Sequence, residues 1–241
     1  MTIFYSILFS LGDAKVNPYC YLPHFLYRAL HKTKSLRQGD VYCILCDYAS
    51  ADVLRATSLA QAPDVRIIAT AQPINMLDGM SMRYKFPFQY DCSGQTCVYL
   101  DLDLIPVRTI QVPQLQDAII IYPEGRPDDS NYCGDTPLNA QFGATSGFFM
   151  FGLGPRVKSF FIRVCESMRN DTRYPFYYTL DQVYFNRELK GLDIALFRHD
   201  YLSFNARNNL DKATLLNMCG EPGDGPLHFI KVIEMFLRCF T

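Results

Sequence analysis

Short apolar runs alternate with helically spaced apolar positions along the first third of the chain. This alternation limits the possible folds more than any other feature. Residues 2–11 read as a buried strand, and Leu22, Phe25, Leu26, Ala29 and Leu30 give a helical stripe over residues 21–32. Residues 40–47 form a second strand run that ends at Asp47, residues 50–60 a second helix, and Val65-Arg66-Ile67-Ile68-Ala69-Thr70 a third strand. Strand–helix–strand alternation favours a parallel sheet flanked by helices, and in such sheets ligands gather at the carboxyl ends of the strands. Further strands are expected at 97–101, 118–122 and 146–151, and helices at 155–169 and 178–190. The tail 231–240 is either an apolar helix or a terminal strand. The expected class is α/β with a mixed, mostly parallel sheet and helices on both faces. At 241 residues, one domain over 1–241 is the economical reading.

Charge removes one class of function. The chain carries 23 basic and 24 acidic residues without a long run of either sign. It lacks the basic stripe with which a nucleic-acid binder neutralises phosphates, so any phosphate it handles is met locally. The nine cysteines are an odd, scattered set. Cys43 and Cys46 form a CxxC, but it lies inside the apolar run Val41–Cys46, and no second CxxC completes a zinc site. Reduced, buried thiols and a cytoplasmic setting are expected. The apolar start, Met1 to Phe9, lacks a basic n-region and a cleavage site. No run reaches the roughly 20 apolar residues of a membrane span, so no transmembrane segment is expected.

One segment carries chemistry: Val98-Tyr99-Leu100-Asp101-Leu102-Asp103-Leu104-Ile105-Pro106. An apolar run leads straight into two carboxylates. On an extended chain, positions i and i+2 project to one side. Neighbouring carboxylates repel, and ionised groups at a buried strand end need compensation. A hard divalent cation supplies it and keeps positions open for phosphate oxygens. The competing reading is a plain strand-end turn.

Tyr-Leu-Asp-Leu-Asp after an apolar run resembles the metal-binding DxD motif of GT-A glycosyltransferases. It is most similar to glycosyltransferase family 8, the glycogenin and lipopolysaccharide galactosyltransferase group, and its capsule-type relatives. Other segments agree in order over roughly residues 1–231. Ser10-Leu11-Gly12-Asp13 resembles the nucleotide-contacting turn, and Leu45-Cys46-Asp47 the acidic end of the family's second strand. Tyr84-Lys85 resembles the lysine that reaches donor phosphate or sugar. Thr145-Ser146-Gly147 is similar to an Asn-Ser-Gly strand, and Leu180-Asp181-Gln182-Val183-Tyr184-Phe185-Asn186 to an Asp-Gln-x-x-x-Asn helix. Leu227-His228-Phe229 resembles the late histidine of the metal site. The chain departs from the family where His-x-Gly-x-x-Lys-Pro-Trp would stand: it reads His228-Phe229-Ile230-Lys231-Val232-Ile233, and it contains no Trp.

The resemblance implies a single GT-A, Rossmann-like fold with a nucleotide-sugar-binding half over 1–103 and an acceptor-binding half over 104–241. It implies a manganese or magnesium ion held by Asp101, Asp103 and His228, with Asp101 also touching ribose or sugar. Gly12, Asp13 and Asp47 would frame the nucleotide, and Lys85, Arg83 and Lys231 would meet donor phosphate. Asp181 and Gln182 would lie by the anomeric carbon, Gln182 through its carbonyl. The other readings of these positions are an acid at a helix start for Asp181, a solvated helix face for Arg83 and Lys85, and a core histidine for His228. His24, His31 and His199 have no ligand spacing.

The expected reaction moves a hexose from a nucleoside diphosphate sugar, most simply a UDP-sugar, to a glycan or other hydroxyl acceptor. Retention is implied by the resemblance; Asp181 as a base would give inversion, and the residues leave this open. Segments 124–141 and 198–220, with Asn131, Asn139, Asn205, Arg207 and Asn208, suit an acceptor pocket. Two other readings stand beside this one. A sugar nucleotidyltransferase would show a basic, Gly-rich phosphate loop near the N-terminus, which Ser10-Leu11-Gly12-Asp13 is not. A nucleotide-sugar-binding protein with a decayed site would lack turnover.

Overall fold

The computed structural model describes residues 1–10, 18–124, 143–170, 180–189, 191–204, 210–218 and 226–240. Gly12 and Asp13 lie outside the described residues, as do Asn131, Asn139, Asn205, Arg207 and Asn208. The chain divides into two compact units that exchange segments. One comprises Met1–Gln72, Leu100–Val112 and His199–Thr241, the other Pro73–Tyr99 and Pro113–Arg198.

The first unit opens with the expected alternation: β1 (Thr2–Leu8), α1 (Leu22–Lys32), β2 (Val41–Asp47), α2 (Tyr48–Arg55) and β3 (Val65–Thr70). β1 and β3 flank β2 and both run parallel to it, with Tyr5 opposite Cys43 and Ile44 opposite Ile67. β2 is buried at every position. That is why its sequence reads as a continuous apolar run and not an alternating one. The expected helix over 50–60 divides in two. Asp47 caps α2, so the helix starts at Tyr48, and the chain leaves it after Arg55 to form a separate 3-10 turn, Ser58–Gln61.

A small second sheet in the same unit joins β5 (Leu104–Pro106), β9 (Leu202–Phe204) and β10 (Leu215–Asn217) in the order β5-β10-β9. α6 (Pro226–Phe240) closes the unit. The tail is therefore a helix, and it begins five residues before the stretch expected from the sequence. Pro226 suits a first helical position, where its missing N–H is not needed. Val232 and Phe236 of α6 are buried against Leu22, Ala29, Ile105 and Leu216, with Phe25 edge-on to Phe236 at 4.9 Å between ring centroids.

The second unit holds α3 (Met76–Lys85), β4 (Thr96–Leu100, whose last residue belongs to the first unit), β6 (Ile119–Glu124), β7 (Gly143–Gly152), α4 (Pro155–Asn170), α5 (Leu180–Glu188) and β8 (Ile194–Leu196). β7 lies antiparallel to β6, and β6 parallel to β8. Its core is aromatic. Phe149 stacks near Tyr84 and Tyr99 and lies tilted against Phe185, with centroids 6.2, 5.1 and 5.3 Å away. Rings in such offset arrangements add to the stabilisation from their buried area.

Candidate functional site

The first unit brings the acidic motif and the late histidine together. β4 ends at Leu100, whose carbonyl accepts a 2.7 Å hydrogen bond from the buried Ser6 hydroxyl. The chain then turns. Asp101 and Asp103 are not on an extended run, as the i, i+2 argument assumed. Leu102 and Asp103 form a turn closed by the Leu104 N–H on the Asp101 carbonyl at 3.1 Å. The turn is forced because β5 starts at Leu104 and must register against Asn217, while the Asp103 carbonyl accepts from the Met218 N–H at 3.0 Å. β10 thus fixes the direction in which the motif leaves the core.

His228 sits in the first turn of α6. Its Nε2 lies 3.6 Å from Asp103 Oδ2, with the imidazole 12% and the carboxylate 23% exposed. The ring is held at both nitrogens. Nε2 is 2.5 Å from the Met218 carbonyl, and Nδ1 is 2.9 Å from the Tyr19 hydroxyl. A carbonyl only accepts, so Nε2 carries the proton, and in the neutral ring Nδ1 accepts from Tyr19. Lys231 follows at i+3 on the same side of the helix and is exposed. Residues 229–236 lie inside a continuous helix, which a glycine or a proline after the histidine would weaken.

A divalent cation fits this donor pair in part. Adjacent ligands of an octahedral ion at about 2.1 Å stand about 3 Å apart, close to the Asp103–His228 separation. An imidazole with a carboxylate suits manganese better than magnesium. Among the described residues, no three His, Cys, Asp or Glu side chains gather as a metal-holding group, so Asp101 does not complete a triad with the pair.

Asp47 stands at the end of β2 and is fully buried. One oxygen accepts from the Ser50 N–H at 2.8 Å; the other accepts from the Ser10 N–H at 2.7 Å and from the Ser50 and Ser10 hydroxyls at 3.0 and 3.2 Å. Its carboxylate is committed to capping α2 and holding the end of the first strand segment.

The second unit gathers the remaining candidates. Arg83, on α3, is 5% exposed and so is not on a solvated face. It donates to the Ser146 carbonyl at 2.9 Å, approaches Asp181 at 3.4 Å and lies over the Tyr99 ring at 4.9 Å. Asp181 also accepts from the Tyr84 hydroxyl at 2.6 Å. Burial, and then the Asp181 charge, push the Tyr84 phenol well above its usual range, so it remains a donor. Lys85 is half-buried and donates to Asp78 at 2.6 Å, across seven residues of the same helix. Gln182 and Asn186, one turn apart on α5, read the β7 backbone. Gln182 Oε1 accepts from the Ser146 N–H at 3.0 Å, and Asn186 bonds the Ala144 N–H and carbonyl, both at 2.7 Å. The Gln182 carbonyl is therefore committed to β7, contrary to the role expected for it. Its Nε2 is buried with no hydrogen-bond partner among the described residues. Buried donors are nearly always paired, so this one marks where a further acceptor fits.

Tyr19 and the Met218 carbonyl are functional candidates that the sequence did not reveal. Tyr19 is 209 positions from His228, and neither periodicity nor spacing links them.

No protein-family model and no curated protein matches the chain. Among solved structures, the apo form of WbbM, a bifunctional glycosyltransferase, is similar to this chain with a TM-score of 0.60 and 13% identity. The match covers 97% of this chain and 49% of the other, so the chain spans about half the length of that protein. At this identity the likeness establishes the fold: mixed α/β and Rossmann-like, with a mostly parallel sheet, as the alternation of strands and helices anticipates.

Proposed function

We propose that the protein is a glycosyltransferase, moving a hexose from a nucleoside diphosphate sugar, with UDP the expected carrier, to a glycan or other hydroxyl acceptor. The observation that carries this reading is the Asp103–His228 pair. The fold brings a carboxylate and an imidazole from distant parts of the chain to 3.6 Å at the end of the Asp-Leu-Asp turn. The pair would hold manganese, or magnesium, leaving coordination positions for the donor diphosphate. When bound, the ion supplies Lewis-acid stabilisation of the leaving diphosphate.

This chain's own residues then have distinct tasks. Gly12 and Asp13, close in sequence to the Ser10 that Asp47 fixes, would meet the nucleotide. Lys85 and Lys231 would screen phosphate charge, Lys85 by exchanging its bond to Asp78. Asp181, fixed by Arg83 and Tyr84, would orient Gln182, and Gln182 would offer Nε2 to a donor hydroxyl. Retention of configuration is the expected outcome. In the described residues, no helix is long and apolar enough to cross a membrane.

A second reading, a nucleotide-sugar-binding protein without turnover, draws on the internal commitment of His228, Asp181 and the Gln182 carbonyl. Release of free sugar from a panel of UDP- and GDP-sugars distinguishes the two. Manganese-dependent release that EDTA stops and Asp103→Asn removes supports the transferase. Binding without release under every condition supports the second reading.

A further inference from the structure

We propose that the outer side of α6 and the C-terminal end of α1 form a docking surface for an anionic lipid bilayer. The inference does not rest on the reaction proposed above. α6 is apolar on two sides. Its inner side, with Val232 and Phe236, is buried in the first unit. Its outer side carries Leu227, Ile230 and Leu237, which are 58, 48 and 44% exposed. Their spacings of three and seven put them in one row along the helix. Single exposed apolar side chains need no explanation, but a row of them on one helix marks a surface that another body covers.

Cations border this row. Arg238 follows Leu237 and is exposed. Lys32, at the end of α1, donates to the Phe240 carbonyl at 2.5 Å and lies over the Phe240 ring at 5.4 Å, which joins the end of α1 to the last turn of α6. Arg28 stands one turn before Lys32 on the same side of α1, and Lys34 and Arg37 follow just after the helix, all three exposed. The side chains of Arg28, Lys34, Arg37 and Arg238 form no ion pair with any described residue. The acids nearby are mostly engaged: Asp40 by the Thr2 and Arg37 N–H groups, Asp64 by Tyr27 and His31, while Glu234 is exposed. The formal charge of the whole chain is −1, so this excess of cations is local. Lys231 is exposed beside the row, but the surface does not require it.

The two features together select the partner. A nucleic acid or an acidic polypeptide would be met by the cations alone and would leave the aliphatic row in water. A bilayer with anionic headgroups meets both: its phosphates attract Arg and Lys, and the aliphatic side chains enter the boundary between headgroups and acyl chains. Tyr21, 50% exposed with its ring 6.4 Å from Phe229, presents an amphipathic ring suited to that boundary. Because the inner side of α6 stays packed on the core, the helix rests on the bilayer and does not cross it.

The test is co-sedimentation of the full chain with two kinds of vesicle, phosphatidylcholine alone and phosphatidylcholine mixed equally with phosphatidylglycerol. Three variants accompany the parent. Arg28→Gln with Arg238→Gln removes cations from the surface. Lys158→Gln with Arg169→Gln removes the same charge from exposed positions on α4. Ile230→Ser with Leu237→Ser removes the aliphatic row. Thermal unfolding checks that each variant keeps its fold. The parent should bind the anionic vesicles only, and added salt should release it. The Arg28 and Arg238 variant should bind about 25-fold more weakly, about 5-fold for each cation. The Ile230 and Leu237 variant should bind roughly 10-fold more weakly. The α4 variant should bind as the parent does.

Equal weakening in the two charge variants would overturn the inference, because net charge and not this surface would then govern binding. Binding of the parent to neutral vesicles at the same strength would also overturn it, as would parent-like binding of the Ile230 and Leu237 variant. Binding to heparin or polyglutamate without binding to anionic vesicles would reject the bilayer and make the surface a site for acidic polymers.

Discussion

At the scale of single residues, the carboxylates separate by what surrounds them. Asp47 is buried and accepts from two N–H groups and two hydroxyls, all close by. Such a carboxylate is structural before it is anything else. Replacing it with Ala strands those donors and removes a helix cap, at a cost of about 2–4 kcal/mol. Urea denaturation of Asp47→Ala checks this; a loss under about 1 kcal/mol would mean the donors find water. Asp181 belongs to a buried pair with Arg83, and breaking such a pair costs about 3–5 kcal/mol. Asp181→Asn should therefore lower stability as well as activity. A variant with native stability and no sugar transfer would make Asp181 a purely catalytic group. Asp103 is different. It is partly exposed and lies beside an imidazole, so Asp103→Asn should leave the unfolding midpoint within about 1 kcal/mol of the parent.

At the scale of elements, α3 and α6 test the account in opposite ways. Partial burial raises the Asp78 carboxyl, but the bonds from Lys85 and the Ile74 N–H outweigh it and hold the group below the usual carboxylate range. A depressed folded value means the contribution to stability is present above the unfolded value, near 4, and is lost as pH falls through the folded one. Lys85→Met should raise the Asp78 titration toward its ordinary position, read by carbon-13 spectra of the carboxyl. No change would mean that the Ile74 N–H and the Ser81 hydroxyl set it. α6 is amphipathic and anchors on Phe236, which is 3% exposed. Phe236→Ala should cost about 3–5 kcal/mol and loosen the first turn that carries His228. Hydrogen exchange along 226–240 measures both.

Legibility also differs by element. The buried run of β2 and the helical stripe of α1 were readable because local pattern and final burial coincide there. The Asp-Leu-Asp segment was readable as a site but not in shape. Its turn depends on β10, whose three residues, Leu215–Asn217, give no periodic signal and lie more than a hundred positions away. The role of α6 was half-read: the apolar stretch was evident, but Pro226 rather than Lys231 sets its start. Arg83 and Lys85 looked alike in the sequence. The fold buries one against Asp181 and turns the other to Asp78. Spacing of two on a helix places them on different sides, but nothing local says which side is buried.

At the scale of the whole molecule, the fold and the function rest on different supports. The fold follows from the strand–helix alternation and the likeness to WbbM. The function rests on residues that the chain order interleaves. The first unit contributes its candidates from three separate segments, ending with His228 on α6. A chain assembled this way cannot present the Asp103–His228 pair until both Leu100–Val112 and His199–Thr241 have joined the unit. The most direct test of the central claim is calorimetric titration of UDP, with and without manganese, into the parent and Asp103→Asn. The account predicts binding that needs manganese in the parent and is lost in the variant. UDP binding of equal strength in both proteins, or binding indifferent to manganese, would contradict it.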